Sequence, residues 1–352
     1  MRYLLFAQLL FLAMPLVAFA RVTQEQVNVR LVTDEAESVL NILAKKKANE
    51  PIAEIDWQQL FATEGYVRLK QRETSMQRSF EDADFKTFVL SDQLAARAPS
   101  LREALDKWKR TDVTRAARLA LNYLPKDARI SARIYPVIKP RENSFVFDVK
   151  NDPAIFSYLD PTISPQKFEN TLAHEMHHIG YGTSCPSKQI ANQLSELPPN
   201  VKTALTWTSA FGEGFAMLAA AGGPDIHPHA VSNNEEHARW DKDVANFNDD
   251  LKKVEKFLLD ILDGRLTGED VTKAGFSFFG ETQGPWYTVG WQMSVLIEKT
   301  YGRAALIESF CDQRKLLSTY NRAAEKYNRK SRKPLSLWSK SLVDRLASAT
   351  SN

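Results

Sequence analysis

A short segment near the middle of the sequence has the residue types and spacing of a metal-dependent hydrolase. In His174-Glu175-Met176-His177-His178, His174 and His178 are four residues apart. On a helix, side chains at that spacing project from one face, so two neutral imidazoles can bind one tetrahedral Zn²⁺. Glu175 is then placed to take a proton from water that the metal activates. The pattern therefore predicts His174 and His178 as zinc ligands and Glu175 as the general base.

A catalytic zinc site needs a third protein ligand and an open fourth position. No histidine stands near enough after His178 for the longer three-histidine motif, because the next one is His227. Glu213 lies 35 residues beyond His178, between Gly212 and Gly214, which leave room for close approach. We expect Glu213 to complete a His₂Glu site that holds one zinc ion per chain. The weaker carboxylate candidates are Asp225, Glu235 and Glu236.

Acyl hydrolysis also requires a hydrogen-bond donor for the developing oxyanion. Tyr287 is the expected donor, although an aromatic residue between two tryptophans is also typical of a core, and that alternative stays open. His237 is a second candidate, in a charged segment that indicates an exposed face. His177 lies off the ligand face and is expected to pack or to support a ligand. His227 and His229 lie in a proline-containing loop, where metal binding would be adventitious.

The helix that carries the histidine pair is predicted from its ends. Ser164 is a favourable N-cap and Pro165 a favourable first residue, and Gly180 and Gly182 mark the end, so the helix should span 165 to about 180. A second helix is predicted from Trp207 to Ala221, ended by Gly222-Gly223-Pro224, and it carries Glu213.

The rest of the sequence is also mostly helical in pattern. Apolar residues recur at helical spacing over 34–46 and 101–124, and again in one long stripe from Trp240 to Gly264. Helical patterns return from Trp286 to the C-terminus.

Two extended segments, 128–138 and 144–149, flank a turn at 139–143 and should form a small antiparallel sheet. The predicted fold is therefore α+β and predominantly α-helical, with this sheet packed on the helix that carries His174.

These motifs resemble the gluzincin metallopeptidases, in which a His-Glu-x-x-His helix is paired with a glutamate on a later helix. Glu213-Gly214-Phe215-Ala216 looks like that second motif. Together with Gly284-Pro285-Trp286-Tyr287, the set is similar to an uncharacterised bacterial family of zinc-dependent peptidases. The similarity covers most of the chain after residue 20, with its specific motifs between about 170 and 305. The resemblance implies a gluzincin-like zincin core and a sheet edge that could pair with an extended peptide.

The amino-terminal segment has the pattern of a secretory signal peptide. Arg2 is followed by an apolar run from Tyr3 to Val17 and by Ala18-Phe19-Ala20. The run is too short to span a bilayer, so we expect cleavage near Arg21 with no stable membrane anchor left. The predicted organisation is a signal peptide over 1–20, a helical region over 21–125 and a zincin-like region over 126–352, the last two in one compact unit. The expected location is the periplasm or the exterior.

The charge balance and the cysteine content indicate which partners and which cysteine states to expect. The 46 Lys and Arg residues nearly balance 43 Asp and Glu residues, which gives no reason to expect a nucleic-acid partner. Cys185 and Cys311 are the two cysteines, and an exported protein could pair them, leave both as buried thiols or use Cys185 as a soft metal ligand.

The sequence thus predicts a zinc-dependent peptidase that acts on peptide or protein substrates. A catalytically inactive protein that binds zinc and peptides, and a zinc amidase or esterase with a non-peptide substrate, would use the same residues and stay open.

Overall fold

One small sheet and a long buried helix organise the residues that the computed structural model describes, 26–280 and 283–347. The predicted signal peptide, residues 1–20, lies outside these described residues. Within them the fold is predominantly helical, as predicted, with a four-stranded sheet. No helix in the described ranges has both the length and the apolar character needed to cross a membrane.

The sheet is mixed rather than antiparallel. Its strands are β1 (Val27–Leu31), β2 (Ile130–Val137), β3 (Phe145–Phe147) and β4 (Ala154–Tyr158), in the spatial order β1-β2-β4-β3. β2 pairs in parallel with both β1 and β4, while β3 runs antiparallel to β4.

The prediction that β2 and β3 pair directly is wrong, because β4 lies between them. β4 is almost wholly apolar and is buried along most of its length, so it fits a central position covered on both faces. β3 has only three residues, all partly exposed, and a short strand of that kind fits an edge. β1 and β4 were not predicted from the sequence.

The helices of the described residues, in chain order, are α1 (Asp34–Lys47), α2 (Glu54–Phe61), α3 (Glu64–Ser75), α4 (Asp82–Val89), α5 (Asp92–Trp108), α6 (Val113–Leu121), α7 (Pro165–Ser184), α8 (Lys188–Ser195), α9 (Pro199–Thr208), α10 (Gly212–Ala221), α11 (Asn234–Ala245), α12 (Phe247–Leu262), α13 (Gly268–Ser277), α14 (Pro285–Tyr301), α15 (Arg303–Cys311), α16 (Gln313–Asn328) and α17 (Lys340–Ala347). A 3₁₀ turn, Ser209–Phe211, joins α9 to α10.

Helix α7 begins where the sequence predicts but ends later. The Ser164 hydroxyl accepts a hydrogen bond from the Lys167 backbone N–H at 3.1 Å, and Pro165 is the first helical residue. The helix continues to Ser184, past Gly180. A Cβ atom on Gly180 would lie 2.2 Å from Leu124 Cδ1, so this glycine permits close packing and does not end the helix.

Two other helix predictions need correction. The helix predicted over 207–221 begins at Gly212 and ends, as expected, before Gly222, whose φ is +91°. The single helix predicted over 240–264 is two helices, α11 and α12, which meet at Asn246. The periodicity of apolar residues indicates which side chains are buried. Because both helices bury apolar side chains, the pattern continues across the break and does not reveal it.

Two hydrophobic cores meet along α7 and α10. The first contains apolar residues of α1 to α7 and of the sheet, so the helical region predicted over 21–125 shares its core with the later strands. The second contains apolar residues from α9 to α17. The apolar face of α7 belongs to the first core, whereas most of α10 belongs to the second. Side chains that project from both helices therefore meet at the boundary between the cores.

A disulfide ties the two cores together. Cys185, the C-cap of α7, is bonded to Cys311 at the end of α15, with their Cα atoms 4.7 Å apart and a sequence separation of 126. Of the alternatives that the sequence left open, the structure has the paired form. In the loop-entropy model, closing a loop of this length stabilises the fold by roughly 4–5 kcal/mol.

The backbones of α10 and α14 touch where they cross. A Cβ atom on Gly214 would lie 2.0 Å from the Trp291 backbone nitrogen, and one on Gly290 would lie 2.4 Å from the Phe211 carbonyl oxygen. Each helix therefore needs a glycine at the crossing, since any side chain would push the backbones apart.

We expect Gly214→Ala to lower the free energy of unfolding by at least about 2–3 kcal/mol, because the added methyl group meets rigid backbone rather than a movable side chain. Gly212→Ala is the matched control on the same helix, since nothing lies within 4 Å of its added Cβ. Urea unfolding of both variants tests this, and equal stability of the two would contradict the close crossing.

Glu35 is a carboxyl group buried beneath the end of β2. It is 1% exposed, its Oε2 accepts a hydrogen bond from the Ile138 N–H at 3.1 Å, and its Oε1 has no partner among the described residues. Burial raises the pKa of Glu35 to about 8. Between pH 4.5 and 8 the folded protein therefore binds a proton that the unfolded chain has lost, and stability falls as the pH rises through that window.

Glu35→Gln removes this titration. We expect the free energy of unfolding of the variant, minus that of the wild type, to increase by a few kcal/mol between pH 5 and pH 8. Urea unfolding at several pH values in this range measures it. Glu50→Gln, at an exposed position, serves as the control and should show no such trend. A difference that is the same at every pH would mean that the Glu35 pKa is not raised.

Candidate metal centre

The structure brings three of the predicted site residues together at the boundary between the cores. His174 and His178 project from one face of α7, and Glu213 projects from the first turn of α10. The two Nε2 atoms are 3.0 Å apart, and each lies 3.2 Å from Glu213 Oε2. The side chains are 12%, 27% and 21% exposed, respectively, so solvent reaches them.

This triangle of atoms fits a zinc ion. Ligand atoms about 2.0–2.2 Å from a tetrahedral metal lie roughly 3.4 Å from one another, close to the distances between these three atoms. Two imidazole nitrogens and one carboxylate oxygen are the donor set of many catalytic zinc sites, which leave the fourth position for water or substrate. The donor set and its geometry therefore suit a catalytic zinc better than a closed structural one.

The electrostatics of the three residues favour a bound cation. Burial alone would raise the pKa of Glu213, but the neighbouring His178 and His174 hold that pKa well below its usual range. Burial would likewise lower the pKa of His178, but the charge and hydrogen bond of Glu213 raise it to about 9. Glu213 thus keeps its negative charge beside His178 although it is largely removed from water, and a divalent cation would take the place of the His178 proton.

Glu175 and Tyr287 face the same space as the three ligand candidates. The Tyr287 ring stacks on the His174 ring, with centroids 6.3 Å apart and planes 15° apart. Burial, and after it the negative charges of Glu213 and Glu175, raises the pKa of the Tyr287 hydroxyl. Glu175 also contributes to the raised pKa of His178. The carboxylate of Glu175 and the hydroxyl of Tyr287 are therefore near the ligand atoms, and their chemical roles stay predictions.

Sequence reasoning missed the network that holds the start of α14. Buried His229 lies 2.7 Å through its Nε2 from Gln283 Oε1, one residue before the N-cap of α14. Its Nδ1 lies 2.9 Å from Ser232 Oγ, which also accepts a hydrogen bond from Lys167 Nζ. These contacts link α7 to the beginning of the helix that carries Tyr287. One feature of the sequence could have indicated this network: Lys167 lies seven residues before His174, which places both side chains on the same face of the helix.

His177 packs against α10 and makes no approach to the ligand triangle. Its ring meets that of Phe215 edge-on, with centroids 4.5 Å apart. Burial, together with the charges of His178 and His174, lowers its pKa well below the ordinary value. Of the two roles that the sequence suggested, the packing contact is the one present.

A second group of ligand-type side chains, His227, His237 and Asp241, does not suit a metal in this arrangement. His227 Nδ1 accepts a hydrogen bond from the His229 N–H, so the neutral ring carries its proton on Nε2 and donates it to Asp241 Oδ1 at 3.2 Å. The His227 and His237 rings are stacked 3.6 Å apart and 12° from parallel. A metal lies in the plane of each imidazole that binds it, and parallel stacked rings share no such point. His237 Nδ1 also lies 3.4 Å from Asp241 Oδ2, and its role as an oxyanion donor stays a prediction.

The weaker carboxylate candidates are engaged elsewhere or exposed. Asp225 forms an ion pair with Lys299 at 2.7 Å, and Glu236 forms one with Lys167 at 2.9 Å. Glu235 is exposed at the start of α11. Glu213 is thus the carboxylate that joins the histidine pair.

We expect the purified wild-type protein to contain close to one zinc ion per chain after zinc reconstitution. Loss of a residue that only hydrogen-bonds to a metal ligand weakens metal binding roughly 10–100-fold. His178→Ala and Glu213→Ala each remove a ligand itself and should weaken zinc binding by more than that. His237→Ala, from the stacked group, is the control and should keep its zinc. Elemental analysis of the four proteins gives the answer, and zinc lost in His237→Ala but kept in Glu213→Ala would overturn the assignment.

Comparisons with known proteins support the same chemistry at the level of a family. No curated protein and no solved structure matches the chain. Residues 57–329 match the model of the family described as "Putative zinc dependent peptidase (DUF5700)". That match spans more than half of the 352 residues and includes the histidine pair, Glu213 and Tyr287. The chain therefore belongs to this family.

Proposed function

We propose that the chain is a zinc peptidase in which His174, His178 and Glu213 hold one zinc ion and Glu175 is the general base. The observation that carries the proposal is the convergence of two imidazole nitrogens and one carboxylate oxygen within 3.2 Å of one another. Membership of the family supports the metal and the reaction class. The ligand set, with its glutamate on a later helix, further supports a core of the gluzincin type.

In the proposed reaction a water oxygen attacks the carbonyl carbon of a peptide bond. A zinc ion at this site would polarise that carbonyl and make water acidic enough to lose a proton near neutral pH. Glu175 accepts the proton from the attacking water and passes it to the nitrogen of the leaving amine as the C–N bond breaks. Tyr287, a phenol and therefore protonated at neutral pH, donates a hydrogen bond to the developing oxyanion.

The proposed substrate is an extended segment of a peptide or protein. β3 is an edge strand of the sheet, so its outer backbone groups are available to pair with such a segment. β3 also lies beside α7, since a Cβ on Gly182 would come within 3.1 Å of Val149, two residues after the strand. These contacts support a binding path along α7, past the histidine pair.

We also propose that the protein works outside the cytoplasm. Two observations support this location: the signal-peptide pattern of residues 1–20 and the disulfide between Cys185 and Cys311. Disulfides of this structural kind form and persist in oxidising compartments.

Glu175→Gln should retain zinc and lose hydrolysis by at least the 10²–10⁴-fold typical of a removed general base. The measurement is cleavage of a denatured protein and of a mixed peptide library, followed by mass spectrometry, with zinc content measured in parallel. Glu235→Gln, at an exposed position on α11, is the matched control and should cleave at the wild-type rate. Undiminished cleavage by Glu175→Gln would disprove this mechanism.

A zinc-loaded wild-type protein that binds library peptides and cuts none of them would instead support the inactive, peptide-binding alternative. Hydrolysis limited to simple esters or non-peptide amides would support the amidase or esterase alternative.

A further inference from the structure

A separate cavity on the other side of the sheet has the features of a binding site. It has a volume of about 270 Å³, and its lining includes Lys139, Arg78, Arg141, Glu73 and Phe80. Part of its lining belongs to residues 139–143, which the sequence predicts only as a turn between two strands.

This cavity is remote from the metal centre. Ile130, whose side chain a Cβ on Gly180 would contact, lies on the face of β2 that packs on α7. Tyr135 and Val137 point to the opposite face, where they pack with Leu69 of α3 and with Phe80 from the cavity wall. The thickness of the sheet therefore separates the cavity from the histidine pair.

Cationic groups dominate the cavity. Three of its lining side chains, those of Lys139, Arg78 and Arg141, carry positive charge, against the single carboxylate of Glu73. That carboxylate already accepts a hydrogen bond from the Arg72 guanidinium at 2.6 Å and lies 3.7 Å from Arg78. Within the described residues the Arg141 guanidinium has neither a hydrogen bond nor an ion pair.

Among the described residues, Lys139 is a buried lysine that forms no ion pair with a carboxylate. The residue is only 3% exposed. Its ammonium group donates hydrogen bonds to two neutral oxygens, Arg141 O and Asn143 Oδ1. The pKa of Lys139 is lowered to about 8, mainly by burial; Glu73 opposes this shift, and the nearby guanidinium groups of Arg72, Arg141 and Arg78 contribute to it. A buried lysine normally has a carboxylate partner, because an unpaired buried charge is costly.

We propose that this cavity binds a phosphate group, either inorganic phosphate or the phosphate of a small organic molecule. Two arginine forks and one ammonium match the oxygens and the double negative charge of a phosphate dianion. Phe80 and Pro140 supply an apolar wall against which a small organic body can rest. The volume admits a ligand of that size and excludes a folded partner.

Isothermal titration of the zinc-loaded full chain with inorganic phosphate, at constant ionic strength set by sodium chloride, tests the proposal. We expect saturable binding at one phosphate per cavity. Arg141→Ala should weaken it at least tenfold without loss of stability, since Arg141 is exposed in a loop. The double variant Arg78→Ala/Arg141→Ala should abolish it. Arg118→Ala, an exposed arginine on α6, is the matched control and should bind phosphate like the wild type.

Because phosphate can also bind zinc, Glu213→Ala is included as a second control. Binding that persists in Glu213→Ala, is weakened in Arg141→Ala and is abolished in the double variant assigns the phosphate to the cavity. The reverse pattern, or no saturable binding by the wild type, overturns the proposal.

Discussion

The contact between the backbones of α10 and α14 constrains the positions of the residues around the metal centre. Gly214 follows Glu213 directly, and Gly290 lies three residues after Tyr287, so the point where the helices touch is next to both functional side chains. With no Cβ atom at either glycine, the helices approach closely enough for Tyr287 to stack on His174 across α10. A larger residue at the crossing would push the two backbones apart and so move the carboxylate of Glu213 relative to the phenol of Tyr287.

The position of the metal centre between two cores gives it both rigidity and access to solvent. The histidines are fixed by α7, whose apolar face is part of the first core, and Glu213 is fixed by α10 in the second. The polar side chains meet at the boundary, where they stay partly exposed while their backbones are held on both sides. The disulfide between Cys185 and Cys311 joins the end of α7 to the second core and so limits relative movement of the two histidines and Glu213.

Charge is distributed differently at the two sites described. At the candidate metal centre, Glu213 stays ionised among histidines, which suits a cation. At the cavity beyond the sheet, a buried ammonium among guanidinium groups attracts an anion. Both sites hold charged side chains in largely buried positions, which is costly in a folded interior and is characteristic of binding sites. The nearly balanced net charge of the whole chain conceals both of them.

The sequence determined the relative placement of His174, Glu175 and His178, because their spacing fixes it on a helix whatever surrounds that helix. It also determined the start of α7 through Ser164 and Pro165, the largely helical character of the chain and the end of α10 at Gly222. Only the tertiary structure decided the order of the strands, since pairing depends on which strand is buried on both faces. It likewise revealed that Gly180 serves packing, that Asn246 separates two helices, and that His229 and Gln283 hold the start of α14. Lys139 and Arg141 belong to a turn in the sequence and become part of a cationic cavity only when Arg78 and Glu73 fold against them. These features arise from contacts between residues distant along the chain, and local periodicity carries no record of such contacts.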